Sequence, residues 1–332
     1  MQQVDVGNSF IYENFFEEGH SIMTNGIVVI GATFVDIKGY PLEVYVPNGR
    51  NAGTVMEVHG GVCRNVAEDI ANVELKPTFV SIVDNSGTST DVVNKLIRHK
   101  INTKYIRRVE GGLGTWLAIF SNDGDVIASI SRRPDLSEVS NILTEQGDEI
   151  IGNADSVVVE IDMDSSILKQ IFELAEKYDK EVYAVVSNMS IAMQRRDLLK
   201  RTGVIVCNEQ EAGMLFSDDY CNMMPEEFMH ILDRQVKSAK YPRMVVTMGA
   251  KGAVYASMDG EPGFCPSIPV GVIDTTGAGD AFFSGVAIGL TYGKGLGEAC
   301  QIGTRLANSV ISTTDNVCPR FMPQEFGIEV NR

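Results

Sequence analysis

Apolar residues along this chain follow two different patterns. Short continuous runs, rich in Val and Ile, lie at residues 27–32, 79–83, 157–159, 182–186, 204–207 and 244–247. Between them, apolar residues recur every three or four positions, for example over residues 167–178 and 226–237. Continuous runs are typical of strands buried on both faces of a parallel sheet, and the helical period indicates amphipathic helices. Their alternation predicts an α/β fold with a doubly wound, mostly parallel sheet and helices on both faces.

Two segments depart from this alternation, residues 42–58 and 115–132. In each, apolar and polar residues alternate around a turn signal, Pro47-Asn48-Gly49 or Asn122-Asp123-Gly124. Such alternation predicts hairpins, which form either edge strands of the main sheet or a separate small sheet. We expect a small β-sheet lid, contributed by about residues 38–59 and 112–133, that keeps water from a reacting group. Residues 1–25 are interpreted as an N-terminal extension of a domain that spans residues 26–332.

The overall charge narrows the range of partners. The 332 residues carry a formal charge of −16, which disfavours nucleic acids and anionic membranes as partners. The chain has no apolar run long enough to span a membrane, and its acidic N-terminus lacks the features of a signal peptide. Its 6 cysteines are widely spaced, as expected of reduced thiols. We therefore expect a cytoplasmic protein that acts on a small molecule.

Residues 272–285 carry the chemistry that can be interpreted most directly. They read V-I-D-T-T-G-A-G-D-A-F-F-S-G and are followed by the apolar period of a helix. A turn of small residues at a helix start leaves backbone N–H groups unpaired, and these groups favour a bound anion. Asp280 lies at the start of that helix, where it either caps the helix or accepts the proton of an attacking hydroxyl during phosphoryl transfer.

The segment D-T-T-G-A-G-D-A-F-x-x-G resembles the C-terminal signature of the ribokinase, or PfkB, superfamily of carbohydrate and nucleoside kinases. The similarity extends from about residue 26 to about residue 320. It implies a ribokinase-like fold and transfer of the ATP γ-phosphate to a hydroxyl, with Asp280 as catalytic base. Gly277, Ala278 and Gly279 would then form the anion hole, and Asp274 matches a position that binds a monovalent cation such as K⁺ in ribokinase.

Three further motifs match the nucleotide side of this family. Asn208 and Glu211 resemble its N-x-x-E motif, which orients Mg²⁺ and its waters, although an N-cap with acidic residues in the first turn has the same sequence. A T-x-G-x-x-G loop matches Thr247, Gly249 and Gly252. Within that loop, Lys251 either contacts a phosphate or is solvated. Asn308 matches a position close to adenine.

The acceptor side is expected near the first strand and the helix that follows residue 60. The resemblance places the substrate-binding residues at Asp36, Gly60, Gly61, Arg64, Asn65 and Trp116. The segment G-G-V-C-R-N-V-A-E at residues 60–68 and the segment G-T-W-L-A at residues 114–118 most resemble pseudouridine kinases. Arg64 therefore favours a C-nucleoside, phosphorylated on its 5′-hydroxyl.

Residues 129–135 depart from that resemblance. They read S-I-S-R-R-P-D where such kinases have an A-D-M-like sequence. Arg132 or Arg133 either reaches a phosphate or an acidic sugar, or belongs to a solvated surface. A sugar kinase acting on ribose, fructose or 2-keto-3-deoxygluconate is the alternative enzyme, and a catalytically silent nucleotide or sugar sensor is the alternative outside enzymes. The resemblance also implies a homodimer that associates through the lid.

Overall fold

The computed structural model describes residues 25–122 and 126–329. Its strands are β1 Val28–Ile30, β2 Phe34–Pro41, β3 Gly53–Gly60, β4 Thr78–Val83, β5 Ile106–Arg108, β6 Gly114–Phe120, β7 Val126–Arg132, β8 Val157–Glu160, β9 Val182–Val185, β10 Ile205–Asn208, β11 Arg243–Thr247, β12 Gly252–Ser257 and β13 Gly263–Pro266.

The α-helices follow the strands in alternation along much of the chain. They are α1 Val62–Asn72, α2 Gly87–Arg98, α3 Ser137–Gly152, α4 Ser165–Lys177, α5 Met189–Ala192, α6 Arg196–Leu199, α7 Glu209–Phe216, α8 Pro225–Ala239, α9 Ala278–Thr291 and α10 Leu296–Ile311. Short 3₁₀ turns lie at Met193–Arg195, Gly249–Lys251 and Pro323–Phe326. Among the described residues, no helix is both long and apolar enough to cross a bilayer.

The main sheet has the strand order β13-β12-β11-β10-β9-β8-β1-β4-β5. The strands from β5 to β11 in this order are all parallel to one another. Strand β12 is antiparallel to β11, and β13 is antiparallel to β12. Successive residues of β1 belong to different cores, since Val28 and Ile30 pack in one hydrophobic cluster and Val29 in the other. The predicted doubly wound, mostly parallel sheet is confirmed, and its burial on both faces explains the continuous apolar runs.

A second, smaller sheet has the order β3-β2-β6-β7. Strands β2 and β3 are antiparallel, β2 and β6 are parallel, and β6 and β7 are antiparallel. The expectation of a separate small sheet is therefore confirmed. The 115–132 hairpin is also found, although residues 123 and 124 of its turn signal lie outside the described residues.

The first hairpin differs from its sequence-based expectation. It was expected over residues 42–58, but β2 ends at Pro41 and β3 begins at Gly53. The Pro47-Asn48-Gly49 signal lies in the long connection between them, where Asn48 has φ 60°. The predicted hairpin left out β2, whose sequence F-V-D-I-K-G-Y-P includes Asp36, Lys38 and Gly39, residue types that are depleted in strands.

Candidate active site

The turn before α9 presents unpaired backbone donors. Gly277 is the N-cap of α9 with φ 84°, and a Cβ there would lie 2.1 Å from the carbonyl oxygen of Asn316. A Cβ on Gly279 would meet no atom within 4 Å, so this side of the turn is open. Among the described residues, the N–H groups of Gly279 and Asp280 have no hydrogen-bond acceptor. Open N–H groups at a helix start form a site for an anion.

Asp280 lies in the first turn of α9, beside this open surface. Its Oδ2 accepts a hydrogen bond of 2.6 Å from Nδ2 of Asn65. Burial raises the pKa of Asp280 to about 6; the Asn65 hydrogen bond and the Arg64 charge oppose the rise, whereas Asp36 adds to it. A carboxylate with this pKa is ionised at neutral pH and is still basic enough to accept a proton.

Arg64 does not line the cleft, contrary to the sequence-based expectation. Its side chain is 1% exposed, and it donates to the carbonyl oxygens of His59 and Gly60 and to Oδ1 of Asn65. One turn further along α1, Glu68 is completely buried and pairs with the Arg64 guanidinium at 2.5 Å. Since Asn65 contacts Asp280 and accepts from Arg64, the guanidinium holds the orientation of the Asn65 amide.

Asp36 and the two glycines at the start of α1 lie close together. Asp36 is on β2, and a Cβ on Gly60 would lie 2.3 Å from its Oδ1, so only glycine leaves room for the carboxylate. Gly61 is the N-cap of α1 with φ 96°. Burial raises the pKa of Asp36, although Lys38 and Arg64 oppose the rise. The fold therefore brings Asp36, Asn65 and Asp280 to one crevice.

The small sheet borders the same crevice. Trp116 on β6 is paired in register with Asp36 on β2, so the two side chains share one face of the sheet. From that face, Lys38 reaches across to the main domain, where its Nζ lies 3.4 Å from Oγ1 of Thr276. Within the 274–280 segment, Asp274 Oδ1 accepts a hydrogen bond of 2.8 Å from the backbone N–H of Thr276.

The residues predicted for Mg²⁺ form a capping box at the start of α7. Asn208 Oδ1 accepts from the N–H of Glu211, and Glu211 Oε2 accepts from the N–H of Asn208, both at 2.9 Å. Burial raises the pKa of Glu211. The two residues therefore form the N-cap that was the alternative interpretation of this motif. The side-chain oxygens of both can still accept a hydrogen bond from a water molecule. No group of three or more His, Cys, Asp or Glu residues suited to a metal ion occurs among the described residues.

The residues predicted for the nucleotide lie at the ends of β11 and β12 and on α10. Thr247 Oγ1 lies 3.4 Å from the carbonyl oxygen of Cys207. Asn308 Nδ2 donates a hydrogen bond of 3.2 Å to the carbonyl oxygen of Ile268. Gly249 and Gly252 both have positive φ. Lys251 Nζ contacts Glu209 at 3.3 Å and the Met223 carbonyl oxygen at 3.0 Å, so its ammonium is already partnered within the chain.

Sequence analysis missed a cluster at the carboxyl end of β8. Arg133 pairs with Glu160 at 3.3 Å and also with Asp162, and Ser187 Oγ donates to Asp162 at 2.7 Å. Burial and the Asp162 charge raise the pKa of Glu160 to about 7. The signal available in the sequence was E-I-D directly after a buried strand, since the carboxyl ends of parallel strands are where ligands of such sheets bind.

A cavity of about 560 Å³ lies away from this chemistry. It is bounded by the ends of α1 and α2 and by residues 313–320, and it includes neither Asp280 nor the turn before it. It reaches Glu68, whose carboxylate also contacts Lys95 at 2.8 Å. The candidate site is therefore the start of α9, where Asp280 and the open N–H groups lie, and not this cavity.

Comparison with known proteins identifies the family of this chain. A family model described as pfkB family carbohydrate kinase matches residues 24–317. This chain belongs to the PfkB family. It is a phosphotransferase with a hydroxyl group as acceptor, and the recognition made from the motif at residues 274–285 is confirmed.

Individual relatives are nucleoside and sugar kinases. The chain is 32% identical to guanosine-inosine kinase of Exiguobacterium acetylicum, over 88% of this chain and 96% of that protein. It is 25% identical to pseudouridine kinase of Escherichia coli, over 86% and 90% of the two chains. The structure of Arabidopsis thaliana ribokinase complexed with ribose and ATP superposes with a TM-score of 0.76 at 19% identity, covering 92% of this chain and 99% of that one. This last likeness concerns the fold alone.

Proposed function

We propose that this kinase phosphorylates the 5′-hydroxyl of a ribonucleoside, with a 6-oxopurine nucleoside such as guanosine or inosine as the preferred acceptor. The reaction is supported chiefly by one observation, the Asp280 carboxylate hydrogen-bonded to Asn65 beside the open N–H groups of α9. The choice of a purine nucleoside is supported by the 32% identity to a guanosine-inosine kinase over nearly its whole length. Pseudouridine is the second candidate, on the motif at residues 60–68 and the 25% identity to a pseudouridine kinase.

In the proposed reaction, the acceptor oxygen attacks the γ-phosphorus. The bond between that phosphorus and the β,γ-bridging oxygen breaks, and ADP leaves with the bond electrons. Asp280 takes the hydroxyl proton, while the N–H groups of Gly279 and Asp280 stabilise charge on the transferred group. Asp36 and the amide of Asn65 bind ribose hydroxyls, because carboxylates and amides accept from or donate to such groups at close range. Trp116 borders the acceptor on the side of the small sheet.

The nucleotide would lie along Thr247, Gly249 and Gly252, with its adenine near Asn308. Lys251 would reach a phosphate only by leaving Glu209 and the Met223 carbonyl oxygen. The capping box leaves Asn208 and Glu211 able to hold waters of a Mg²⁺ ion, whose remaining ligands would be phosphate oxygens. Mg²⁺ supplies charge neutralisation on the phosphates when bound. Asp274 has one oxygen free of the Thr276 N–H bond and is the candidate ligand for K⁺.

The small sheet is proposed to serve as both lid and dimer interface. Its inner face carries Asp36, Lys38 and Trp116, and its outer face carries Leu117 and Ile130, which are 40% and 71% exposed. Apolar residues exposed side by side on a sheet favour association with a second apolar surface. A second copy of this chain is the proposed partner.

The decisive experiment measures ADP formation from ATP with Mg²⁺ and K⁺ against guanosine, inosine, adenosine, pseudouridine, ribose, fructose and 2-keto-3-deoxygluconate. We expect the highest kcat/KM with guanosine or inosine. Preferred turnover of pseudouridine would support the second candidate, and turnover of free sugars alone would overturn the nucleoside proposal. Binding of ligands without ADP formation from any acceptor would indicate a silent sensor.

A further inference from the structure

Arg133 is held by two carboxylates that have almost no contact with solvent. The side chains of Glu160 and Asp162 are 3% and 0% exposed, whereas that of Arg133 is 38% exposed. One guanidinium nitrogen binds each carboxylate, which leaves Nε–H and the second hydrogen of each terminal nitrogen without a partner among the described residues. Two buried acids thus fix a guanidinium whose remaining donors are partly exposed.

One of the carboxylates that hold Arg133 contacts α1, the helix that carries Asn65 into the acceptor crevice. Glu160 Oε1 lies 3.4 Å from the backbone nitrogen of Cys63, in the first turn of α1. Two residues later in that helix is Asn65, which contacts Asp280. A short series of contacts thus joins Arg133, through Glu160 and α1, to Asp280. This makes the cluster a candidate for contact with the base of a nucleoside whose 5′-hydroxyl lies at Asp280.

The position of Arg133 in the chain is also informative. It directly follows Arg132, the last residue of β7 in the small sheet, and its own partners belong to the main sheet. The guanidinium therefore lies where the small sheet joins the main domain. A second arginine, Arg195, donates to the carbonyl oxygen of Ile161 between the two acids, so the cluster contains two cations and two buried carboxylates.

We propose that Arg133, clamped by Glu160 and Asp162, determines specificity by donating hydrogen bonds to the carbonyl edge of the acceptor base. This inference rests on the proposed nucleoside kinase function. A 6-oxopurine presents two adjacent acceptors, O6 and N7, which match the fork of a guanidinium. Adenine presents an amino donor in place of O6 and repels the same fork. Lysine lacks the paired geometry, so charge alone does not replace arginine here.

The test compares the wild-type enzyme with Arg133→Gln, Arg133→Lys and the neighbouring control Arg132→Gln. For each, kcat/KM is measured with guanosine, inosine, adenosine and ribose. We expect both Arg133 variants to lose about tenfold to a hundredfold in kcat/KM for guanosine and inosine, the range of a lost bidentate contact. Their values for adenosine and ribose should change by less than about threefold, and Arg132→Gln should behave as the wild type on all four acceptors.

Each outcome of this test has one meaning. An equal loss on all acceptors would show that the cluster only anchors the end of β7, and an unchanged preference for guanosine over adenosine would equally overturn the specificity role. Wild-type enzyme that phosphorylates ribose but no nucleoside refutes the proposed function before any variant is compared. Arg133→Gln leaves two buried acids without their cation and can destabilise the protein. Arg133→Lys keeps the positive charge and therefore tests the specificity role in a folded protein. Guanosine affinity measured by calorimetry is a second readout, independent of turnover.

Discussion

The crevice at the start of α9 and the outer face of the small sheet are built in opposite ways. Behind the crevice, buried polar groups hold one another in a series from Glu68 through Arg64 to Asn65, which contacts Asp280. On the outer face, apolar side chains such as Ile130 lie in solvent without such support. In the proposed function, the geometry of the crevice therefore depends on buried polar contacts, whereas the exposed apolar residues of the small sheet are the proposed surface for association.

The largest effect is expected from a substitution of Asp280 in the crevice. Asp280→Asn removes the proton acceptor but keeps the size of the side chain and one hydrogen-bonding oxygen. We expect kcat to fall by about 10²- to 10⁴-fold, the usual contribution of a general base. ATP affinity, measured by calorimetry, should change little, because the N–H groups of the turn remain. Turnover within tenfold of the wild type would refute the role of Asp280 as base.

The next largest effect is expected from the buried pair of α1. Arg64→Met leaves Glu68 with only its weaker partners, Lys95 and His99. Removing one partner of a buried ion pair typically costs about 3–5 kcal/mol in the free energy of unfolding. Arg305→Met is the matched control, since its pair with Glu325 is largely exposed and such pairs contribute about 0–1 kcal/mol. Urea unfolding of both variants measures the difference.

A double variant sharpens this prediction. Arg64→Met with Glu68→Met removes both charges and should recover much of the stability lost in the single variant. Activity should stay low in the double variant, because Asn65 Oδ1 then keeps only its longer contact, 3.3 Å from Nδ2 of Asn316. Equal stability of Arg64→Met and Arg305→Met would show that the Arg64 pair contributes no more than a surface pair.

A smaller effect is expected in the pH dependence of the wild-type enzyme. Because burial raises the pKa of Asp280 to about 6, the carboxylate is the active form above that pH and is protonated below it. The value of kcat/KM for the acceptor should therefore fall about tenfold per pH unit below pH 6. In Arg64→Lys the positive charge is kept, so the acid limb should stay near pH 6. In Arg64→Met the limb should move to higher pH, since the charge that opposed protonation is gone. An acid limb near pH 4 in the wild type would contradict this assignment.

The difference between buried and partly exposed regions also explains which features of the fold and the site can be predicted from the sequence. The main-sheet strands are predictable because they are buried on both faces, and the 274–285 motif is predictable because its chemistry is local. Strand β2 was left out of the predicted hairpin because Asp36 and Lys38, which face the crevice, are of residue types that are depleted in strands. Arg64 was expected in the pocket, although Glu68 four residues later was a signal for a pair within α1. The E-I-D segment at residues 160–162 was a local signal for the two acids, but their contact with Arg133 joins residues that are distant in sequence, and no local pattern reveals it.

The smallest catalytic effect is expected on the outer face of the small sheet. In the cross-strand register Ile130 is opposite Leu117, so Ile130→Asp places a charge within the exposed apolar row. If two copies of the chain associate there, the variant should have half the mass of the wild type by light scattering. Its kcat should stay within about threefold, because the inner face with Asp36 and Trp116 is unchanged. Ile97→Asp, at an exposed position of α2 outside this sheet, is the control and should keep the wild-type mass. If Ile130→Asp also keeps that mass, the outer face is not the interface, and its exposed residues require a different partner.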